Sequence, residues 1–218
     1  MTLLESTHAL FDGHDAHTHI ETGSSRSEPF RSPPTLFTAG TEIYAQGEKC
    51  TCLYEIEFGA VRVYRLLADG RRQISAFHLA GETFGFEADA NHHFFAEAIC
   101  ASGIRAVHAA PSGRNAENRL LPLALKTLVR AQEHLLVLGR QNALERVAAF
   151  LADMAERQGD LRHVELPMSR NDIADYLGLT IETVSRAFTR LKRDGVIRLP
   201  GLRSVQIVKR RALDDLLT

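Results

Sequence analysis

Tryptophan is absent from the 218 residues, and cysteine occurs only three times, at Cys50, Cys52 and Cys100. An odd and sparse set of thiols gives no disulfide framework and fits a reducing compartment. No apolar run approaches the roughly 18 residues needed to span a bilayer. The first residues, MTLLESTHALFDGHDAH, lack a basic stretch followed by an apolar one, so they do not read as a secretory signal. A cytoplasmic protein with no membrane partner is expected. Enzyme signatures are missing as well: no nucleophile–base–acid set stands out, and no glycine-rich phosphate loop follows a strand. Neither sign of charge dominates, with 26 basic against 27 acidic residues and a net charge of −1.

The distribution of charge says more than its sum. Between Arg186 and Arg211 stand nine basic residues against Asp194 alone, leaving +8 in an otherwise slightly acidic chain. A run of charge is more often a solvated face than a binding site, so it needs a motif beside it.

Four regions follow from composition and period. Residues 1–29 mix His, Ser, Thr and Gly without a hydrophobic period and read as a mobile tail. Its His8, His14, His17 and His19 could hold a metal, but nothing preorganises them, and a solvated tail is the better reading; no metal is expected. Residues 30–110 read as short strands punctuated by Gly40, Gly47, Gly59, Gly70 and Gly81, the rhythm of a β-roll. Val61, Val63 and Arg65 alternate there with Arg62 and Tyr64, and Asp69-Gly70 marks a hairpin turn. Cys50-x-Cys52, taken as strand, would point one thiol inward and one outward.

Residues 111–140 change to a helical period. Leu121, Leu125, Leu128, Gln132, Leu135 and Gly139 form a heptad seam, either a helix packed on its own domain or a dimer interface. The last region, 141–218, opens with a helix whose Leu144, Val147, Ala148, Leu151 and Met154 share one face. A short strand, His163–Leu166, follows.

Ser169 and Asp172 form an acidic variant of the capping box. The helix they start ends at Leu177, Gly178 allows a tight turn, and Thr180 caps a second helix from Ile181 to Asp194, closed by Gly195. Two helices joined by a short glycine turn make a helix-turn-helix. On the second helix Val184, Ala187, Phe188 and Leu191 form a core face, while Glu182, Ser185, Arg186 and Thr189 form the opposite one. A carboxylate, a hydroxyl and an arginine within one turn of a helix N-terminus suit base edges in a major groove. The alternative is a weak surface pair between Glu182 and Arg186, but the glycine turn before and the basic segment after favour groove reading. Val196, Ile197 and Leu199, then Ser204–Ile207, give two strands of a wing around Pro200-Gly201, with Arg198 and Arg203 flanking the turn. Ser169, Thr180, Thr183, Thr189, Arg190 and Arg203 are the candidates for contacts to the DNA backbone.

The stretches NALERVAAFL and MSRNDIADYLGLTIETVSRAFTRLKRDGVI resemble the CRP/FNR superfamily, on its FixK/FNR branch. The likeness extends upstream through LYEIEFGAVRVYRLLADGRRQISAFHLAGETFGFEA. It implies an α+β protein: an N-terminal jelly-roll barrel of the cyclic-nucleotide-binding kind, a long dimerisation helix and a C-terminal winged helix-turn-helix. It implies a homodimer joined along Leu121, Leu125, Leu128, Gln132 and Leu135, which binds double-stranded DNA and RNA polymerase. The intact pattern Glu182-x-x-Ser185-Arg186 implies a TTGAT-N4-ATCAA-like palindrome, and Ile181 departs from the arginine of CRP itself. Control of oxygen-limitation, nitrogen-fixation or denitrification genes, as activator, is the implied role.

Effectors divide the superfamily. Gly81-Glu82 is present, but His92-His93-Phe94-Phe95-Ala96-Glu97 offers no arginine for a cyclic phosphate, so no cyclic nucleotide is expected. Three cysteines cannot supply the four ligands of an iron–sulfur cluster. No cofactor is therefore expected. A regulator responsive to haem, nitric oxide or redox state is the alternative, with His78 the residue that would raise haem.

Overall fold

The computed structural model describes residues 33–108, 114–159 and 162–217. The tail assigned to 1–29, with its histidines, lies outside the described residues.

Eight strands build the roll: β1 (Thr35–Phe37), β2 (Glu42–Tyr44), β3 (Leu53–Phe58), β4 (Ala60–Leu66), β5 (Arg72–Leu79), β6 (Thr83–Phe84), β7 (Phe95–Ala98) and β8 (Ser102–Val107). They form two four-stranded sheets, ordered β1-β8-β3-β6 and β2-β7-β4-β5. Each sheet sends apolar side chains inward. Ile56, Phe84 and Ile104 come from the first, and Tyr44, Val61, Val63 and Ala96 from the second, to make one core. The Asp69-Gly70 turn joins β4 to β5 as expected, with Leu67 and Arg71 pairing across it.

Gly59, between β3 and β4, has φ +89°, and a Cβ there would stand 2.2 Å from the Ser102 hydroxyl. That hydroxyl is buried and accepts from the Ala60 N–H at 3.1 Å while donating to the Cys100 carbonyl at 2.9 Å. Only glycine fits both the dihedral angle and the space.

The thiols differ from expectation. Cys50 and Cys52 precede β3 in a loop, so no strand alternation sorts them, and both are half-buried. The pairing beside them is one isolated antiparallel bridge, Lys49 with Asn91, and not a ladder. Cys100 lies in the turn between β7 and β8. Burial, and Glu87 after it, push the Cys50 thiol up, away from the reactive thiolate.

Helix α1 (Arg114–Gly139) then runs for 26 residues and α2 (Ala143–Arg157) for 15. The seam leucines of α1 are largely exposed: Leu121, Leu125, Leu128 and Leu135 are 60%, 51%, 53% and 67% exposed. Val129 and Leu136, each one residue beyond a seam leucine, widen the stripe. The opposite face of α1 is occupied, with His134 stacked on Tyr176 at 3.8 Å and Arg130 paired to Glu82 at 2.8 Å.

The remainder is β9 (His163–Glu165), α3 (Arg170–Leu177), α4 (Ile181–Arg193), β10 (Ile197–Gly201), β11 (Ser204–Ile207) and α5 (Arg210–Asp214). Its three strands pair in the order β10-β11-β9. Leu144, Val147, Ala148, Leu151 and Met154 of α2 are all buried, in one cluster with α3, α4 and the outer face of β4–β5.

Replacing Gly59 with alanine combines a left-handed strain with overpacking. It should cost about 3 kcal/mol or more, read as a lower urea midpoint at unchanged slope and fixed protein concentration.

Candidate nucleic-acid interface

The first helix of the pair begins at a complete capping box. The Ser169 hydroxyl accepts from the Asp172 N–H at 3.0 Å, and Asp172 Oδ2 accepts from the Ser169 N–H at 3.0 Å. The same hydroxyl donates to Asp172 Oδ2 at 2.8 Å, so it is engaged within the cap. Gly178 takes the left-handed conformation at φ 62° and ends α3. Arg146, from α2, donates to the Leu177 carbonyl at 3.1 Å and to the Arg140 carbonyl at 2.8 Å, tying the turn to the end of α1. Thr180 caps α4 by accepting from the Thr183 N–H at 3.2 Å.

Helix α4 divides cleanly. Val184, Ala187, Phe188 and Leu191 are buried, whereas Glu182, Ser185, Arg186, Thr189 and Arg190 are exposed. Ser185, Arg186, Thr189, Arg190 and Arg193 line one shallow recess. The Glu182 carboxyl is held below its usual range by its own backbone N–H, by the Thr180 hydroxyl and more weakly by Arg186. It therefore remains an acceptor near neutral pH. Among the described residues no ion pair within 4.0 Å joins Glu182 to Arg186, which leaves the guanidinium for other acceptors. Thr189 donates to the Ser185 carbonyl at 2.9 Å, and Arg190 lies 3.7 Å from Asp194.

The wing departs from expectation by two residues. Strand β10 continues through Pro200 and Gly201, and the turn falls at Leu202-Arg203. A register shift between Arg198 and Gly201 absorbs the extra residues, so proline sits in an irregularity instead of the turn. Arg203 is thereby at the tip and Arg198 on the strand, both exposed.

Several contacts escaped the sequence. Arg170 lays its guanidinium 3.2 Å from the centre of the Phe188 ring, fixing α3 to α4, and burial draws its pKa down to about 10. Asp172, read as a cap, also receives Arg62 and Arg72 from the roll. Only the pairing of a strand cation with an acid some hundred residues away could have shown this, and local pattern does not carry it.

A two-sheet roll, a long helix with a bare apolar stripe and a winged helix-turn-helix with a polar, cationic outer face together define a transcription regulator of the Crp class. A family model described as a Crp-like helix-turn-helix domain matches residues 145–216, and one described as a cyclic nucleotide-binding domain matches residues 34–109. The nitrogen fixation regulation protein FixK of Rhizobium meliloti (strain 1021) is 55% identical over 86% of this chain and 90% of its own. The fumarate and nitrate reduction regulatory protein of Escherichia coli (strain K12) is 34% identical over 81% and 72%. The structure of FixK2 from Bradyrhizobium japonicum superposes with a TM-score of 0.79, at 41% identity, over 85% of this chain and 98% of that one. The chain belongs to the CRP/FNR family of DNA-binding transcription regulators, and within it is of the FixK type. Its relatives are regulators, not enzymes.

The roll does not fit the cyclic nucleotide of that family description. A cavity of about 650 Å³ lies between the roll, α1, α2 and α3, and the roll lines it with Tyr44, Ser75, Phe77, His78, Phe84 and Glu87 among others. Among the described residues no lysine or arginine comes from the roll's wall; Arg130 and Arg157, on α1 and α2, both bind Glu82, while Arg140 after α1 donates to the Leu217 carbonyl and Arg210 pairs with Asp214. Burial works to raise the Glu82 carboxyl, but Arg157 and Arg130 together carry it below the usual range. An anionic cyclic phosphate would meet no free cation on the strands, and the sugar would meet a carboxylate already engaged. His92, at the position a phosphate-binding arginine would take, is buried and stacked on Tyr44 at 3.6 Å. No helix among the described residues is long and apolar enough to cross a membrane, and none of their His, Cys, Asp and Glu side chains group to hold a metal.

His78 is buried on the inner face with Nδ1 3.8 Å from Glu82. Burial pushes its pKa down to about 4, outweighing Glu82, and burial likewise lowers His134 to about 4. Both are neutral in the folded chain and titrate near 6.5 when unfolded. The unfolded state thus binds more protons between those values, and stability falls as pH drops from about 6.5 towards 4, then levels off for these groups. His78→Gln should remove up to about 3 kcal/mol of that dependence, checked by denaturant titrations across the window.

Proposed function

We propose that this chain acts as a homodimer joined along α1, and that each α4 reads one half of a TTGAT-N4-ATCAA-like palindrome. The observation that carries the reading is the division of α4, with Glu182, Ser185 and Arg186 exposed on the first turns and the other face buried. Arg186 donates to guanine O6 and N7, Glu182 accepts from cytosine N4, and Ser185 contacts a neighbouring base or phosphate. Thr180, Thr183, Thr189, Arg190 and Arg203 hold the DNA backbone, with Ser169 at the start of α3 beside them. The exposed stripe of Leu121, Leu125, Leu128 and Leu135 supports the dimer, where Gln132 at a seam position selects one register. Domain limits of 30–110 for the roll, 111–140 for the dimer helix and 141–218 for the DNA-binding part serve this arrangement.

By kinship with FixK proteins the role is control of nitrogen-fixation or other low-oxygen genes, as an activator that contacts RNA polymerase in the cytoplasm. The engaged Glu82, and the lack of a lysine or arginine among the described roll residues that line the cavity, support action without a cyclic nucleotide.

Fluorescence anisotropy on the palindrome, a CRP-type duplex and a scrambled one tests the readout. Metal-free wild-type protein should select the palindrome with no additive. Arg186→Ala should lose about 30-fold or more, since each half-site forfeits at least about 1 kcal/mol. Equal binding by wild type and variant would overturn the assignment. Leu125→Asp with Leu128→Asp should sediment as a monomer that is folded by circular dichroism; a persistent dimer would remove α1 as the seam.

A further inference from the structure

The outer face of β4–β5 presents Arg62, Arg72 and Gln73 to α3. Asp172 is only 4% exposed at its side chain, and its Oδ1 accepts from Arg62 Nη1 at 3.1 Å and from Arg72 Nη2. Arg72 donates as well to Asp175 Oδ2, through Nε at 3.1 Å and Nη2 at 2.8 Å. Gln73 donates to the Asp175 carbonyl at 2.8 Å, and Glu97 steadies Arg62 from β7. From α1, His134 stacks on Tyr176 of the same short helix. The helix from which α4 is launched is thus gripped by the roll on one side and by α1 on the other. None of Glu182, Ser185, Arg186 and Thr189 takes part, and all remain exposed.

We infer that the Arg62/Arg72–Asp172/Asp175 cluster is a positioning clamp that sets the orientation of each recognition helix relative to α1, and so fixes the half-site spacing the dimer accepts without a ligand. Arg62 and Arg72 are positioning residues in this scheme. The inference rests on the assignment of α4 to base reading and α1 to dimerisation. A free recognition face argues for positioning over occlusion. Buried ion pairs contribute little net stability, yet a pair broken at one end leaves an uncompensated charge, so alternative orientations are penalised.

The full-length protein tests this in two stages. Without DNA, hydrogen exchange should quicken in β5 and α3 of Arg62→Ala/Arg72→Ala while β3 and β8 stay unchanged; unchanged exchange in α3 would overturn the clamp. Anisotropy then uses palindromes with the spacer as proposed and one base pair shorter or longer. If the variant holds the competent pose one time in ten, affinity at the preferred spacing falls about tenfold, and the spacing preference flattens. Arg62→Lys with Arg72→Lys, which keeps both positive charges facing Asp172 and Asp175, should restore both.

A uniform loss at all spacings without rescue would reduce the cluster to a folding role and overturn the inference. Tighter binding would make it a restraint, which also overturns it. Should wild type bind every duplex equally, the base-reading assignment fails, and the clamp is judged by the exchange result alone.

Discussion

Asp172 meets two demands from opposite ends of the chain: Oδ2 closes the capping box on Ser169, while Oδ1 takes the guanidinium groups of Arg62 and Arg72. A carboxylate has about four lone-pair sites, and burial makes each unfilled one costly. The cap occupies one oxygen and fixes the rotamer, which leaves the other facing the roll. Without the arginines the cap would hold an uncompensated buried charge. Without the cap the arginines would have no fixed target. Local helix chemistry and the packing of domain on domain are therefore coupled through one side chain.

That coupling depends on how β4 distributes its residues. Val61 and Val63 enter the roll's core, while Ala60 and Tyr64 pack beneath the helices and Arg62 reaches α3. On β5, Ile74, Phe77 and Leu79 join the cluster of α2, α3 and α4. The second sheet thus has two packed faces, one apolar within the roll and one mixed against the helical body. A strictly apolar outer face would bury area but allow sliding; under the clamp proposed above, the polar contacts at Arg62, Arg72 and Gln73 select one register.

Much of this was legible wherever the signal is local. The capping box, the left-handed Gly178 and the two faces of α4 follow from spacings within one turn of helix, and the stripe of α1 follows from its period. The wing turn was misplaced because a register irregularity lets Pro200 sit inside a strand, which composition alone argues against. Taking Cys50-x-Cys52 as strand implies alternation of the two thiols, but an isolated bridge, not a ladder, stands beside them in that loop. The alternation of Arg62 and Tyr64 with valines was visible, yet it looks the same whether the polar face meets water or another domain. Long-range partners such as Arg72 and Asp175 leave no periodic trace.

Glu82 joins the roll to the helices from the opposite side. It lies in the roll and reaches Arg130 on α1 and Arg157 on α2, whereas Asp172 lies in the helical body and reaches back to the roll. A ligand seated between roll and helices would make their relative pose depend on its concentration, because it shifts the equilibrium only by its preference for one pose. Ion pairs carried on the chain itself impose the pose at every concentration. Under the proposed function, a regulator built this way carries no small-molecule term in its occupancy of DNA, and its output tracks the amount of dimer present.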